Sequence, residues 1–161
     1  STQKEKLMMQ FEKLGISRDR LRLEGFSPRD QLLRSYQKID IALDTFPYPG
    51  GTTTAESLWM GVPVLTIRGD DFLSRIGASM LHEAGNDDWI AIDQAHYVEL
   101  AIKFAKDLRY LDSFRKQLRP RVKNSSLFNG RTFAKQFQDN IKAMWRTLEN
   151  EVNLRTSGLD D

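Results

Sequence analysis

The chain has 161 residues, of which 40% are hydrophobic and 29% charged, and its formal net charge is +2. This length and composition are typical of one globular domain with a sizeable core, and the small net charge does not indicate a nucleic-acid partner. The absence of cysteine excludes disulfides and thiolate metal sites, two histidines argue against zinc, and no apolar run approaches the roughly 18 residues that span a bilayer. With no signal-peptide pattern at its start, we expect a cytoplasmic protein with no membrane segment.

Strand-like apolar runs alternate with helical patterns along most of the chain. Such alternation predicts an α/β fold, a Rossmann-like parallel sheet with flanking helices. Ligands of these sheets bind beyond the carboxyl ends of the strands, which here points to the loops at 26–29 and 44–51. The predicted helices are 3–14, 29–37, 52–60, 72–84, 95–108, 111–123 and 132–149, and the predicted strands are 21–25, 39–43, 64–67 and 89–92.

The start of the chain suggests a piece of a larger domain. A doubly wound domain normally begins with strand–helix units, whereas this chain opens on a helical pattern. We therefore interpret residues 1–149 as a partial lobe with closing helices, and the polar residues 150–161 as a disordered tail. The last predicted helix is expected to supply core through its apolar positions, Phe133, Phe137, Ile141 and Trp145.

The segment at residues 39–67, IDIALDTFPYPGGTTTAESLWMGVPVLTI, carries the clearest functional signal. A strand, a glycine loop and a hydroxyl-rich helix start form a general anion site, because free backbone N–H groups and the positive end of the helix dipole face the loop. A carboxylate one turn into the helix can hold a vicinal diol such as a ribose. Together they suggest a nucleotide site. The residues concerned are Gly50, Gly51, Thr52, Thr53, Thr54 and Glu56.

Several residues of this segment also have a purely structural interpretation. Thr53 and Glu56 have the Thr-x-x-Glu spacing of a capping box, whose only role is to start a helix. Gly50 and Gly51 would serve a tight turn if they adopt positive φ. Asp44 follows a predicted strand, and we expect it to make a local hydrogen bond rather than to act as a catalytic carboxylate.

Outside this segment the polar residues favour structural roles. Between residues 103 and 123, eight Lys or Arg side chains interleave with aromatic residues, which we interpret as a solvated helix face rather than an RNA or acidic-peptide surface. Arg75 is expected to be an ion-pair or surface group, and His82 a packed or half-exposed helix residue. Arg68 and Asp70 lie in another strand-end loop, where contact with a sugar is the less favoured alternative.

With these motifs laid out, the chain resembles the C-terminal catalytic lobe of the O-GlcNAc transferase and SPINDLY family of protein O-glycosyltransferases. The likeness covers roughly residues 21–145, is strongest in LDTFPYPGGTTTAESLWMGVPVLT, and continues through SRIGASML and SSLFNG. The resemblance implies part of the C-terminal lobe of a GT-B glycosyltransferase, which has two Rossmann-like lobes. It also implies transfer of a sugar from a nucleotide donor to Ser or Thr hydroxyls.

The resemblance also implies roles for single residues. Thr52 and Thr53 match the threonines that hold the nucleotide diphosphate, and Glu56 matches the acidic residue that holds the ribose hydroxyls. Gly50 and Gly51 match the loop over the phosphates, although animal enzymes carry a histidine in place of Gly51.

Near the base the match is less complete. Ser27 and Arg29 fall in the loop that flanks the base, whereas Leu32 stands where relatives usually carry a histidine that packs on it. This departure leaves the identity of the nucleotide open, with UDP-GlcNAc or a GDP-sugar as the expected donor. No bound metal or other cofactor is expected, since the family stabilises the leaving diphosphate with a lysine and a helix dipole.

Other family features are not found in this chain. They are the diphosphate-contacting lysine, the N-terminal lobe and the tetratricopeptide repeats that bind the acceptor protein. The resemblance therefore implies that the chain alone is inactive and that its catalytic residues lie elsewhere. Two alternatives stay open: a non-catalytic nucleotide-binding or protein-interaction module, and a GT-B enzyme that acts on a small molecule.

Overall fold

The computed structural model describes the backbone of residues 2–157 and the side-chain surroundings of residues 2–150. The chain divides after Leu32 into two compact units. The prediction of one lobe at residues 1–149 stays a prediction.

The first unit contains α1 (Gln3–Lys13) and the beginning of α2 (Arg29–Ser35). Thr2 caps α1 by accepting the N–H of Glu5 with its hydroxyl oxygen at 3.4 Å. Residues 21–25 form no strand, so that prediction is wrong. An apolar alternation yields a strand only where a partner strand is available, and here the carbonyl of Leu23 accepts instead from the ammonium of Lys4 at 2.9 Å.

The second unit is built on a parallel sheet of three strands in the order β1-β2-β3, which confirms the predicted α/β fold. Ala42 lies opposite Val64, and Thr66 lies opposite Ile90. The outer strands are shorter than predicted. The strands are β1 (Ala42–Leu43), β2 (Val64–Ile67) and β3 (Ile90–Ala91), and the remaining helices are α3 (Thr52–Trp59), α4 (Ile76–Glu83), α5 (Gln94–Lys106), α6 (Leu108–Lys123) and α7 (Gly130–Ser157).

The core of this unit surrounds β2, all four residues of which are buried. Trp89 is 1% exposed and stacks on Phe104 of α5 with ring centroids 3.9 Å apart. Leu118 of α6 is fully buried in the same cluster, which also includes Leu81 of α4. The helices α4, α5 and α6 thus contribute, together with β2, to one hydrophobic core.

The last helix differs from its prediction in two ways. α7 continues to Ser157, so the tail expected to be disordered from Asn150 is helical that far, while residues 158–161 lie outside the described part of the chain. Its apolar positions are exposed rather than core, because helical periodicity marks an apolar face without specifying what covers it. Their exposed fractions are Phe133 65%, Phe137 58%, Ile141 49% and Trp145 61%. In residues 2–157, no helix is long and apolar enough to cross a membrane.

The carboxylate of Asp44, at the end of β1, joins the sheet to the loop that follows. One carboxylate oxygen accepts the N–H groups of Thr45 at 3.0 Å and Gly50 at 2.7 Å, and the other accepts the hydroxyl of Thr66 in β2 at 2.8 Å. Its backbone carbonyl accepts the hydroxyl of Tyr97 at 2.9 Å. Burial, with a smaller contribution from the charge of Asp44, raises the pKa of Tyr97 to about 12, which keeps this hydroxyl protonated as a donor.

Two glycines allow the close approaches that this network needs. A Cβ at Gly50 would lie 2.6 Å from the hydroxyl oxygen of Thr54 and 2.7 Å from that of Thr53. A Cβ at Gly77 in α4 would lie 2.7 Å from the carboxylate of Asp44. Real Cβ atoms are not found this close to other atoms, so larger residues would displace the loop or α4 from the sheet.

We predict that Leu118→Ala lowers the free energy of unfolding by about 2–5 kcal/mol, because it leaves a cavity in the core. Leu148→Ala, at a position 52% exposed on α7, removes the same atoms and should cost less than about 1 kcal/mol. Urea denaturation followed by circular dichroism measures both changes. Equal losses would contradict the assignment of the core to the helices around β2.

We predict that Asp44→Asn lowers the free energy of unfolding by about 1–3 kcal/mol, because an amide cannot accept all three hydrogen bonds. Asp112→Asn is the control with the same charge change, since Asp112 pairs with Lys116 on the exposed face of α6 at 2.6 Å. The control should change stability much less in the same urea titration. A loss for Asp44→Asn no greater than for the control would show that the network contributes little.

Candidate functional site

The N-terminus of α3 is open to a ligand. Its N-cap is Gly51, which has no side chain to cap it, and the first backbone bond runs from the N–H of Ala55 to the carbonyl of Gly51 at 3.1 Å. Within residues 2–157, the N–H groups of Thr52, Thr53 and Thr54 donate to no protein acceptor. These groups and the helix dipole are available to an anion.

The three threonines do not face the same surroundings. Thr52 and Thr53 are exposed, whereas Thr54 is 3% exposed and donates its hydroxyl to the carbonyl of Gly50 at 3.0 Å. Thr54 therefore holds the loop in place, and two hydroxyls remain at the surface beside the N–H groups. The space beside the Cα of Gly51 is unoccupied, because a Cβ added there would meet no atom within 4 Å.

The two structural alternatives for this segment are wrong. A capping box would place Thr53 at the N-cap, but the N-cap is Gly51 and Thr53 lies within the helix. Neither Gly50 nor Gly51 has positive φ, so neither serves a turn of that kind. Asp44 instead makes the local hydrogen bonds that the sequence predicts for it.

Glu56 lies one turn into α3 and is partly buried. Burial, and to a smaller extent the charge of Glu56, raises the pKa of Tyr36, whose hydroxyl donates to the carbonyl of Thr53 at 3.2 Å. Tyr36 is therefore a neutral donor that ties the segment before β1 to the first turn of α3. The carboxylate of Glu56 and the open N–H groups lie on the same short helix, about one turn apart.

The residues predicted to flank a base belong to the first unit. Ser27 is half-buried two residues before α2, Arg29 is the first residue of that helix and is exposed, and Leu32 is 37% exposed. Their contact with a nucleotide base stays a prediction.

Sequence reasoning missed the side chains that hold the loop. Thr66 and Tyr97 both bond to Asp44, and Tyr97 does so across 53 positions of sequence. No local spacing links these residues. The only sign of their proximity in the sequence is that neighbouring parallel strands end at the same edge of a sheet. Arg75 is exposed beside α4, as expected from the sequence. His82 is more exposed than predicted, with 70% of its side chain accessible.

Comparison with known proteins connects this geometry to a family. The model of glycosyl transferase family 41 matches residues 2–137. The probable UDP-N-acetylglucosamine–peptide N-acetylglucosaminyltransferase SPINDLY of Petunia hybrida is 40% identical over 114 residues, which are 71% of this chain and 12% of that protein. The UDP-N-acetylglucosamine–peptide N-acetylglucosaminyltransferase of Caenorhabditis elegans is 26% identical over 136 residues, 84% of this chain and 12% of that protein.

A solved structure agrees with the sequence matches. A mutant of the O-GlcNAc transferase of Thermobaculum terrenum superimposes with a TM-score of 0.81 and 38% identity, over 89% of this chain and 28% of that one. The chain spans about an eighth of the length of the curated relatives it matches. Because the family model covers most of its residues, the chain belongs to glycosyl transferase family 41.

Proposed function

We propose that the chain is the donor-binding part of a nucleotide-sugar-dependent protein O-glycosyltransferase. The observation that carries the proposal is the uncapped N-terminus of α3 with Glu56 one turn further along the helix. Both lie within the region matched by the family model. The reaction is displacement of a nucleoside diphosphate from the donor sugar by a Ser or Thr hydroxyl. We place it in the cytoplasm, because a chain without cysteine forms no disulfide and needs no oxidising compartment.

The start of α3 suits the leaving group. As the bond between sugar and diphosphate breaks, negative charge grows on the phosphate oxygens. The N–H groups of Thr52 and Thr53, their exposed hydroxyls and the helix dipole would stabilise that charge without a metal ion. The donor is UDP-GlcNAc or a GDP-sugar, and the names of the two curated relatives above, which contain UDP-N-acetylglucosamine, favour the former.

Glu56 would hold the ribose of the donor. A carboxylate can accept both hydroxyls of a vicinal diol, and one helical turn separates it from the N–H groups that would hold the phosphates. Its partial burial strengthens such hydrogen bonds relative to a fully exposed group.

Acceptor binding is assigned to other parts of the full-length enzyme. Transfer needs donor and hydroxyl held in one cleft, a positioning effect of roughly 7–11 kcal/mol. The chain spans 12% of relatives whose names specify a peptide acceptor. We therefore assign donor binding to this chain and no transfer activity to the chain alone.

The phosphate site predicts that this chain prefers a nucleoside diphosphate to the corresponding nucleoside, because only the diphosphate reaches the N–H groups and hydroxyls at the start of α3. Thr52→Val should weaken diphosphate binding about fivefold, by the loss of one hydrogen bond. Thr147→Val on the exposed part of α7 is the control and should have no effect. Titration by NMR or calorimetry measures these affinities, and equal binding of nucleoside and diphosphate would contradict the site.

The ribose role predicts that Glu56→Gln weakens binding of a ribonucleoside diphosphate about tenfold or more, through loss of a charged hydrogen bond. The same substitution should hardly change binding of the 2′,3′-dideoxy analogue, which has no diol. Glu99→Gln, at an exposed position of α5, controls for the change in net charge. An equal loss for both nucleotides would indicate that Glu56 supports the helix and does not contact the ribose.

A further inference from the structure

A cationic recess lies beside α4, at the carboxyl ends of β2 and β3. Arg68 directly follows β2, and Ile92 directly follows β3. This is the edge of a parallel sheet at which ligands bind. The recess has a volume of about 460 Å³, and its polar lining residues are Arg68, Arg75, Ser79, His82 and Asp87.

Positive charge dominates this recess. Arg75 is oriented by a hydrogen bond from its Nε to the carbonyl of Gly69 at 3.0 Å. Within residues 2–150, no carboxylate lies within 4 Å of the guanidinium of Arg68 or Arg75. The one acidic lining residue, Asp87, is paired with Nδ1 of His82 at 2.6 Å, which raises the pKa of His82. Outside the lining, hydrogen bonds from Ser74 and, to a smaller extent, the charge of Arg75 lower the pKa of Asp71, so this carboxylate partly balances Arg75. Among the described residues neither arginine is in an ion pair, and both guanidinium groups can bind an external anion.

An apolar recess adjoins the cationic one, and Arg75 and Ser79 line both. It has a volume of about 580 Å³ and is lined by Phe72, Ile76 and Met80 together with Arg75 and Ser79. Phe72 is 87% exposed, which is unusual for so large an apolar side chain. A ligand that fills both recesses must carry an anionic group and an apolar group side by side.

We propose that these two recesses form a binding site for an extended polypeptide segment that carries an acidic side chain two positions from an aromatic or aliphatic one. In an extended chain, side chains two residues apart point the same way and lie roughly 7 Å apart. The carboxylate binds the guanidinium groups of Arg68 and Arg75, and the apolar side chain packs on Phe72. A free phosphate or other small anion would fill one recess and leave the other empty.

This site is separate from the donor-binding residues and does not depend on them. None of its lining residues belongs to the segment from Gly50 to Glu56. A nucleoside diphosphate should therefore leave peptide binding unchanged.

The probe is the peptide acetyl-Gly-Glu-Gly-Phe-Gly-amide, titrated into the complete 161-residue chain and observed through the arginine Nε–Hε signals in NMR. We expect the signals of Arg68 and Arg75 to shift. Replacing the peptide's Glu by Gln, or its Phe by Ala, should weaken binding about threefold to fivefold, as for an exposed ion pair or contact. Arg68→Gln should weaken binding of the Glu peptide by the same factor and leave binding of the Gln peptide unchanged.

Arg109→Gln, at an exposed position of α6, is the matched control and should not change binding. Phe72→Ala tests the apolar recess independently. In this variant the peptide with Phe should bind no more tightly than the peptide with Ala. Circular dichroism checks that each variant is folded. The proposal is overturned if no peptide binds, if Arg68→Gln and Arg109→Gln have equal effects, or if inorganic phosphate at equal concentration shifts the same signals as strongly. Displacement of the peptide by a nucleoside diphosphate would also overturn it, by placing the peptide at α3.

Discussion

The arrangement at the carboxyl ends of β1 and β2 depends on the hydrogen bonds that Asp44 accepts. Its carboxylate accepts hydrogen bonds from the loop after β1 and from β2, while the carbonyl of the same residue accepts from α5. Three segments that are distant in sequence therefore meet at one residue. These hydrogen bonds hold the loop against the sheet, directly before the uncapped N-terminus of α3. A preorganised donor set of this kind loses little entropy when an anion binds.

Glycine has one function in this arrangement and threonine has two. Gly50 and Gly77 leave room for the close approach of loop and helix to Asp44. Thr54 and Thr66 turn their hydroxyls inward and satisfy polar groups of the loop and sheet, whereas Thr52 turns outward. The hydroxyl-rich sequence therefore serves both the stability of the loop and the surface offered to a ligand.

The fold was predictable from sequence where local pattern and tertiary packing agree. The apolar run of β2 and the glycine-bounded helix α3 were identified almost to the residue, because a buried strand and a short amphipathic helix have distinct periodicities. Residues 21–25 and the apolar face of α7 were misassigned for one shared reason. Periodicity reports which face of an element is apolar, while strand pairing and burial depend on a neighbour that local sequence does not name.

The candidate site was predictable to a similar degree. The glycine loop, the threonines and Glu56 follow from a strand–loop–helix motif, and the capping-box alternative was resolved only when the N-cap proved to be Gly51. The supporting groups Tyr36 and Tyr97 could not be found, since each reaches the site through a long-range hydrogen bond. Such contacts are products of the complete fold and leave no short-range spacing in the chain.

We propose that the open N-terminus of α3 holds the diphosphate of the donor. A crystal structure of the protein with a nucleoside diphosphate tests it most directly. We expect phosphate oxygens about 3 Å from the backbone nitrogens of Thr52 and Thr53, and the ribose hydroxyls at the carboxylate of Glu56. A diphosphate bound instead between Arg68 and Arg75, with the start of α3 open to solvent, would contradict it.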